Sequence, residues 1–191
     1  MTLATDALAG GFVEAPVQSA QAFREILEVM ARPGMIRRVS GATPPAPLSV
    51  AAGTALLVLT DPTMRLHLAG AANCPAVRDW VAFHIGAPLS SAEEADFAVG
   101  TWDALQPVSR FRIGQPDYPD RSATLIVECD QLVNHGPALT GPGIQTATWL
   151  NLPETAAFRV NRGLFPLGFD TLFTAGDQIA GLPRSTRVEA I

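Results

Sequence analysis

The run Ala123-Thr124-Leu125-Ile126-Val127 constrains the fold of this chain more than any other segment. Its side chains are apolar or β-branched with no alternation of apolar and polar positions. Such a strand suits a sheet buried on both faces better than one with a wet side. Helical patterns come early in the chain and short strands late, with further strands placed between helices. That order predicts an α/β fold: a single domain over residues 1–191, built on a mixed central sheet flanked by helices.

The flanking elements follow from local signals. Residues 1–17 are small and apolar without a strong period, and read as a packing arm. Ser19 is placed to cap a helix running to about Ala31. Phe23, Ile26, Leu27 and Met30 recur at i, i+3, i+4 and i+7 as one apolar stripe on that helix. Pro33-Gly34 ends it, and Met35–Val39 follows as a strand. Ser49 can cap a second helix, Val50–Thr60, apolar almost all round and therefore expected to be buried. Met64–Leu68 alternates as a strand, Pro75 opens a helix to His84, and Phe97–Val99 is a short strand. Arg110–Pro119 reads as irregular. Leu152–Phe165 favours a short helix with Pro153 in its first turn. Thr171–Thr174, Gln178–Leu182 and Thr186–Glu189 read as three strands, the first two joined by a turn at Ala175-Gly176-Asp177.

Composition narrows the function classes. The net charge is −5 with no basic block, which argues against a nucleic-acid partner. Only 16% of residues are charged, below the roughly 25% usual in soluble domains; either the surface is largely plain polar and small residues, or part of it is covered by another chain, which favours a subunit. All 13 basic residues are arginine. With no lysine, a Schiff base to a lysine of this chain is impossible. No signal-like or membrane-spanning run stands out, so a soluble cytoplasmic protein is expected.

The candidate chemistry is sparse. Cys74 and Cys129 form no CxxC pair and read as buried or half-buried thiols, and Cys129 lacks an evident activating base. His67, His84 and His135 form no metal-binding pattern. His135, in the loop VNHGPAL, is the best single candidate for proton transfer or an interface. Asp170, closing FPLGFD, can cap backbone N–H groups or pair with an arginine. Arg184 and Arg187, in PRSTR, can hold an anion or a partner's carboxylate, or stand exposed at a strand edge. GPGI at Gly141–Ile144 lacks phosphate-loop spacing and reads as a turn or a close packing point. No catalytic, cofactor-binding or metal residue is assigned.

Three segments carry a family resemblance: FREILEVMARPG at Phe23–Gly34, LTGPGI at Leu139–Ile144, and FPLGFDTLFTAGDQIAGLPRSTRVE at Phe165–Glu189. With PVQSAQAFR at Pro16–Arg24, they make the chain resemble the PhnH family, subunits of the bacterial carbon–phosphorus lyase system. The resemblance implies an α/β fold related to pyridoxal-phosphate-dependent transferases but without the cofactor or its site. It implies a homodimer that joins PhnG, PhnI and PhnJ subunits in a core complex. That complex, together with an ATP-binding-cassette-like partner, couples a phosphonate to the ribose of ATP with loss of adenine, and a radical step on another subunit then breaks the C–P bond. The subunit itself is expected to be non-catalytic and structural. The alternative is a binding protein or enzyme for a phosphonate, nucleotide or sugar phosphate, with a pocket either formed in the chain itself or completed when partner subunits dock.

Overall fold

The strand expected at Ala123–Val127 is β6, Thr124–Glu128, and it lies inside a six-stranded sheet. The structure, a computed structural model, describes residues 9–189. Strand order is β1 (Ile36–Arg38), β10 (Gln178–Leu182), β9 (Asp170–Ala175), β6, β3 (Phe97–Thr101), β2 (Leu66–Leu68). β2, β3, β6 and β9 run parallel; β10 and β1 join antiparallel, so the sheet is mixed. Ile126 pairs with Val99 on one side and Leu172 on the other. The β9–β10 connection is the Gly176-Asp177 hairpin.

Both faces of the sheet are buried, as the unbroken apolar run requires. Val99, Ile126, Leu172 and Ile179 point to one face, covered by α1 (Ala15–Ala31), α2 (Val50–Leu59) and α3 (Pro75–His84). Ala98, Leu125, Val127 and Phe173 point to the other. There they meet α4 (Trp102–Leu105), α5 (Ala156–Gly163) and a small sheet of β11 (Arg187–Val188), β7 (Ala138–Thr140) and β8 (Thr148–Trp149). The helices lie close to the strands because side chains are missing where backbones meet. A Cβ on Gly181 of β10 would come within 2.6 Å of the Val29 carbonyl oxygen of α1.

Several details depart from the sequence reading. α1 starts at Ala15 with Pro16 in its first turn, so Ser19 caps nothing. Residues 15–17 therefore belong to a helix. Of the rest of the expected arm, residues 1–8 lie outside the described residues. Gly10 accepts a hydrogen bond from the Thr43 amide, and Ala9 pairs through its carbonyl with the His84 ring. The apolar stripe of α1 is split: Ala22, Ile26 and Val29 are buried, whereas Phe23 and Leu27 are exposed. Pro153 precedes α5, whose N-cap is Thr155. The segment read as irregular contains a two-stranded hairpin, β4 (Ile113–Gln115) with β5 (Tyr118–Ser122). By contrast, Ser49 caps α2 as expected, accepting from the Ala52 amide at 3.1 Å.

Candidate functional site

Asp170 and Arg184 meet where β9 begins and β10 has just ended. The Arg184 amide donates to Asp170 Oδ1 at 2.8 Å, and its Nη2 reaches Oδ2 at 2.5 Å. Nε lies 3.2 Å from both carboxylate oxygens. Nη1 donates to the Pro119 carbonyl at 2.8 Å, and Nη2 also donates to Ser122 Oγ. One guanidinium thus ties hairpin β4–β5 to the edge of two central strands. With the side chains only 13% and 22% exposed, the pair is largely withdrawn from water.

This geometry does not bring Arg184 and Arg187 together. Arg184 directs its donors inward. Arg187 is exposed on β11 opposite Thr140, with no ion-pair partner among the described residues. The two arginines share no ligand-facing arrangement.

His135 is exposed in the loop after β6 and shares no hydrogen bond with Asp170, Arg184 or Arg187. Its neighbour Asn134 is the structural member of that loop. Asn134 Nδ2 donates to the Gly34 carbonyl at 2.5 Å and to the Trp149 carbonyl at 2.9 Å. Gly143 of the Gly141-Pro142-Gly143 turn has φ +80°, and a Cβ there would lie on the Ala31 carbonyl oxygen. The segment ARPG therefore converges with the distant, mutually adjacent segments VNHGP and LTGPGI around an open cleft of about 530 Å³ whose lining includes Arg32, Asn134, Gln145 and Thr148.

A second cleft, about 380 Å³, opens at the carboxyl ends of β3 and β6, where parallel sheets often place ligands. Glu128, which sequence reasoning passed over, stands there. Its Oε1 accepts from the Ser49 amide at 2.7 Å and its Oε2 from Thr174 Oγ1 at 3.0 Å. Burial pushes its carboxyl above the ordinary value, against those hydrogen bonds. The only sequence signal was its place at the end of the strongest strand. Next to it, burial, reinforced by the charges of Glu128 and Asp130, pushes the Cys129 thiol up to about 11. At neutral pH it is a protonated thiol, a poor nucleophile.

Among the described residues no three of His, Cys, Asp and Glu are grouped to hold a metal ion. No helix among the described residues is long and apolar enough to cross a membrane. Exposed apolar side chains include Val17, Phe23 and Leu27 along α1, and Val160, Leu164 and Phe165 on and after α5.

The sequence profile described as "Bacterial phosphonate metabolism protein (PhnH)" matches residues 10–189. The chain belongs to the PhnH family. A relative from Rhizobium meliloti (strain 1021), named "Alpha-D-ribose 1-methylphosphonate 5-triphosphate synthase subunit PhnH", is 35% identical over 198 residues, covering 99% of both chains. Another from Stutzerimonas stutzeri, named "Putative C-P lyase subunit protein HtxG", is 27% identical, covering 92% of this chain and 87% of its own. The PhnH match takes in every segment that meets at the Asn134 cleft and the whole Asp170–Arg184 lock.

Proposed function

We propose that this PhnH-family chain is a non-catalytic structural subunit of a carbon–phosphorus lyase core complex, required there for joining an alkylphosphonate to the ribose of ATP. The observation that carries this reading is the end-to-end similarity to a synthase subunit. The interior supports it: the best-placed charged groups, Asp170, Arg184 and Glu128, bond to the chain's own backbone and side chains. The subunit works in the cytoplasm as a homodimer with PhnG, PhnI and PhnJ. The exposed apolar residues of α1 supply a surface for such contacts. Its three-layer architecture is in this reading a relative of the pyridoxal-phosphate-dependent transferase fold without the cofactor.

Co-expression of tagged chain with PhnG, PhnI and PhnJ tests this. Native mass spectrometry is expected to show all four subunits together, and, with the ATP-binding-cassette-like partner supplied, omission of this chain to abolish phosphonate–ATP coupling. Full coupling by a complex lacking the chain would remove the proposal. The open cleft beside Arg32, Asn134 and Gln145 favours a second reading, a binding site for a phosphonate, nucleotide or sugar phosphate. Calorimetry of the isolated chain against methylphosphonate, ATP and ribose 5-phosphate decides it; silence at millimolar concentrations excludes this reading for the free subunit.

A further inference from the structure

A polar pocket of about 510 Å³ lies at the edge of the central sheet, where β2 ends and α3 begins. His67, Asn73, Arg78, Ser90, Ser91 and Glu94 line it, with Leu68 and Leu89 as its apolar members. The carboxyl end of a parallel strand is where open α/β sheets hold ligands, and the volume is that of a small-molecule site. Backbone contacts fix the walls. The Leu66 amide donates to the Pro88 carbonyl at 2.9 Å and the Ser90 amide to the Leu66 carbonyl at 3.0 Å, which zips residues 88–90 along the outer edge of β2. The Asn73 amide donates to the Gly70 carbonyl at 3.1 Å and closes the turn before α3.

Three side chains of the lining are each held at one atom and open at another. Nδ1 of His67 lies 3.0 Å from the Ser90 carbonyl; a carbonyl only accepts, so Nδ1 carries the proton and Nε2 is the ring's open position. Phe111 meets the ring edge-on, with centroids 6.1 Å apart. Arg78 Nε donates to Asn73 Oδ1 at 2.7 Å. That bond orients the guanidinium and the amide together, and leaves the Arg78 Nη groups and Asn73 Nδ2 without a partner among the described residues. Glu94 shares the lining, yet among the described residues neither it nor Arg78 holds an ion pair. Both charges therefore stay available to a ligand.

The donor and acceptor set defines that ligand. A guanidinium fork beside an amide N–H fits the oxygens of a tetrahedral anion. The Glu94 carboxylate and Nε2 of a neutral His67 are acceptors, and fit hydroxyl groups. The imidazole is the one aromatic ring in the lining, so a nucleobase finds little to stack on. We propose that this pocket binds a small polyhydroxylated phosphate ester, a sugar phosphate, with its phosphoryl group on Arg78 and Asn73 and its hydroxyls on Glu94 and His67. The site is separate from the Asn134 cleft and does not depend on the subunit reading.

The test uses the full chain, with ribose 5-phosphate, inorganic phosphate and ribose as probes. The chain has 3 histidines, so their ring resonances in NMR spectra report on the pocket directly. Ribose 5-phosphate is expected to shift the His67 signals and to leave those of His84 and His135 in place. In calorimetry, Arg78→Ala is expected to weaken its binding at least tenfold. Glu94→Ala is expected to keep phosphate binding and to erase the preference for ribose 5-phosphate over inorganic phosphate. Both residues are exposed, so neither change removes a core contact, and circular dichroism melts check the fold of each variant. No shift at His67 into the millimolar range overturns the site. Equal affinity of the wild-type chain for inorganic phosphate and ribose 5-phosphate overturns the sugar-phosphate assignment. Binding that survives Arg78→Ala and is lost in Gln145→Ala places the ligand in the Asn134 cleft, which supports that second reading and overturns this one.

Discussion

Arg184 acts inside the molecule, and its loss is expected to be felt as unfolding. Removing one member of a largely buried, hydrogen-bonded pair leaves the other charge unsatisfied. Arg184→Ala or Asp170→Asn is expected to cost roughly 2–3 kcal/mol, below the value for fully buried pairs because water still reaches this one. Arg187→Ala, on the surface, is expected to cost less than about 0.5 kcal/mol. Urea titrations of the three variants check this; equal, small losses would show that the lock is not structural. Glu128 gives a pH signature. Its folded carboxyl binds protons more tightly than the unfolded one, so the native state holds more protons across the window above the ordinary value of 4.5. Stability from this group is therefore greatest below that value and declines as pH rises to the raised folded value. Glu128→Gln keeps an oxygen for the Ser49 amide and is expected to flatten this decline in melting temperature against pH. An unchanged slope would reject burial as the controlling effect.

At the scale of elements, two backbone contacts make the family motifs structural. Gly143 lets its turn lie against the end of α1, where any Cβ would strike the Ala31 carbonyl. Gly143→Ala is expected to lose well over 1 kcal/mol and to loosen the Asn134 cleft, seen as faster amide exchange at Gly34. An unaltered exchange pattern would show that the approach is not tight. Elements with a strong local cause were legible beforehand: β6 from its apolar run, α2 from Ser49 and its apolar body, α3 from Pro75. The hairpin β4–β5 was not, because Gln115, Asp117, Asp120 and Arg121 face water and leave no alternation to read. Periodicity marked α1 as amphipathic, yet it cannot tell which flank of a wide stripe the sheet covers; Phe23 and Leu27 fell on the open flank. Asp170 and Arg184 were legible as residue types capable of pairing. Their partnership with Pro119 and Ser122 depends on tertiary placement of a hairpin more than 60 residues away in sequence.

For the whole molecule, what matters is that exposed apolar residues lie on helices on opposite faces of the central sheet, α1 and α5. α1 covers the face carrying Ile126 and Leu172, and α5 covers the face carrying Val127 and Phe173. A subunit with a sticky helix on each side of a stiff mixed sheet can hold two neighbours at once without either contact disturbing the other. Contacts so separated and sharing no residues should add independently. With α1 as the homodimer face and α5 as the partner face, Leu27→Asp is expected to shift the isolated chain from dimer to monomer in light scattering while sparing partner recovery. Val160→Asp is expected to do the reverse, and the double variant to show both losses with no further drop in melting temperature beyond the sum. Leu27 is 52% exposed, so Asp there removes no core contact and the readout is association alone. A Leu27→Asp chain that remains dimeric would move the self-contact off α1. If each single variant lost both contacts, the two surfaces would be one composite interface, and the sheet would not be the divider between them.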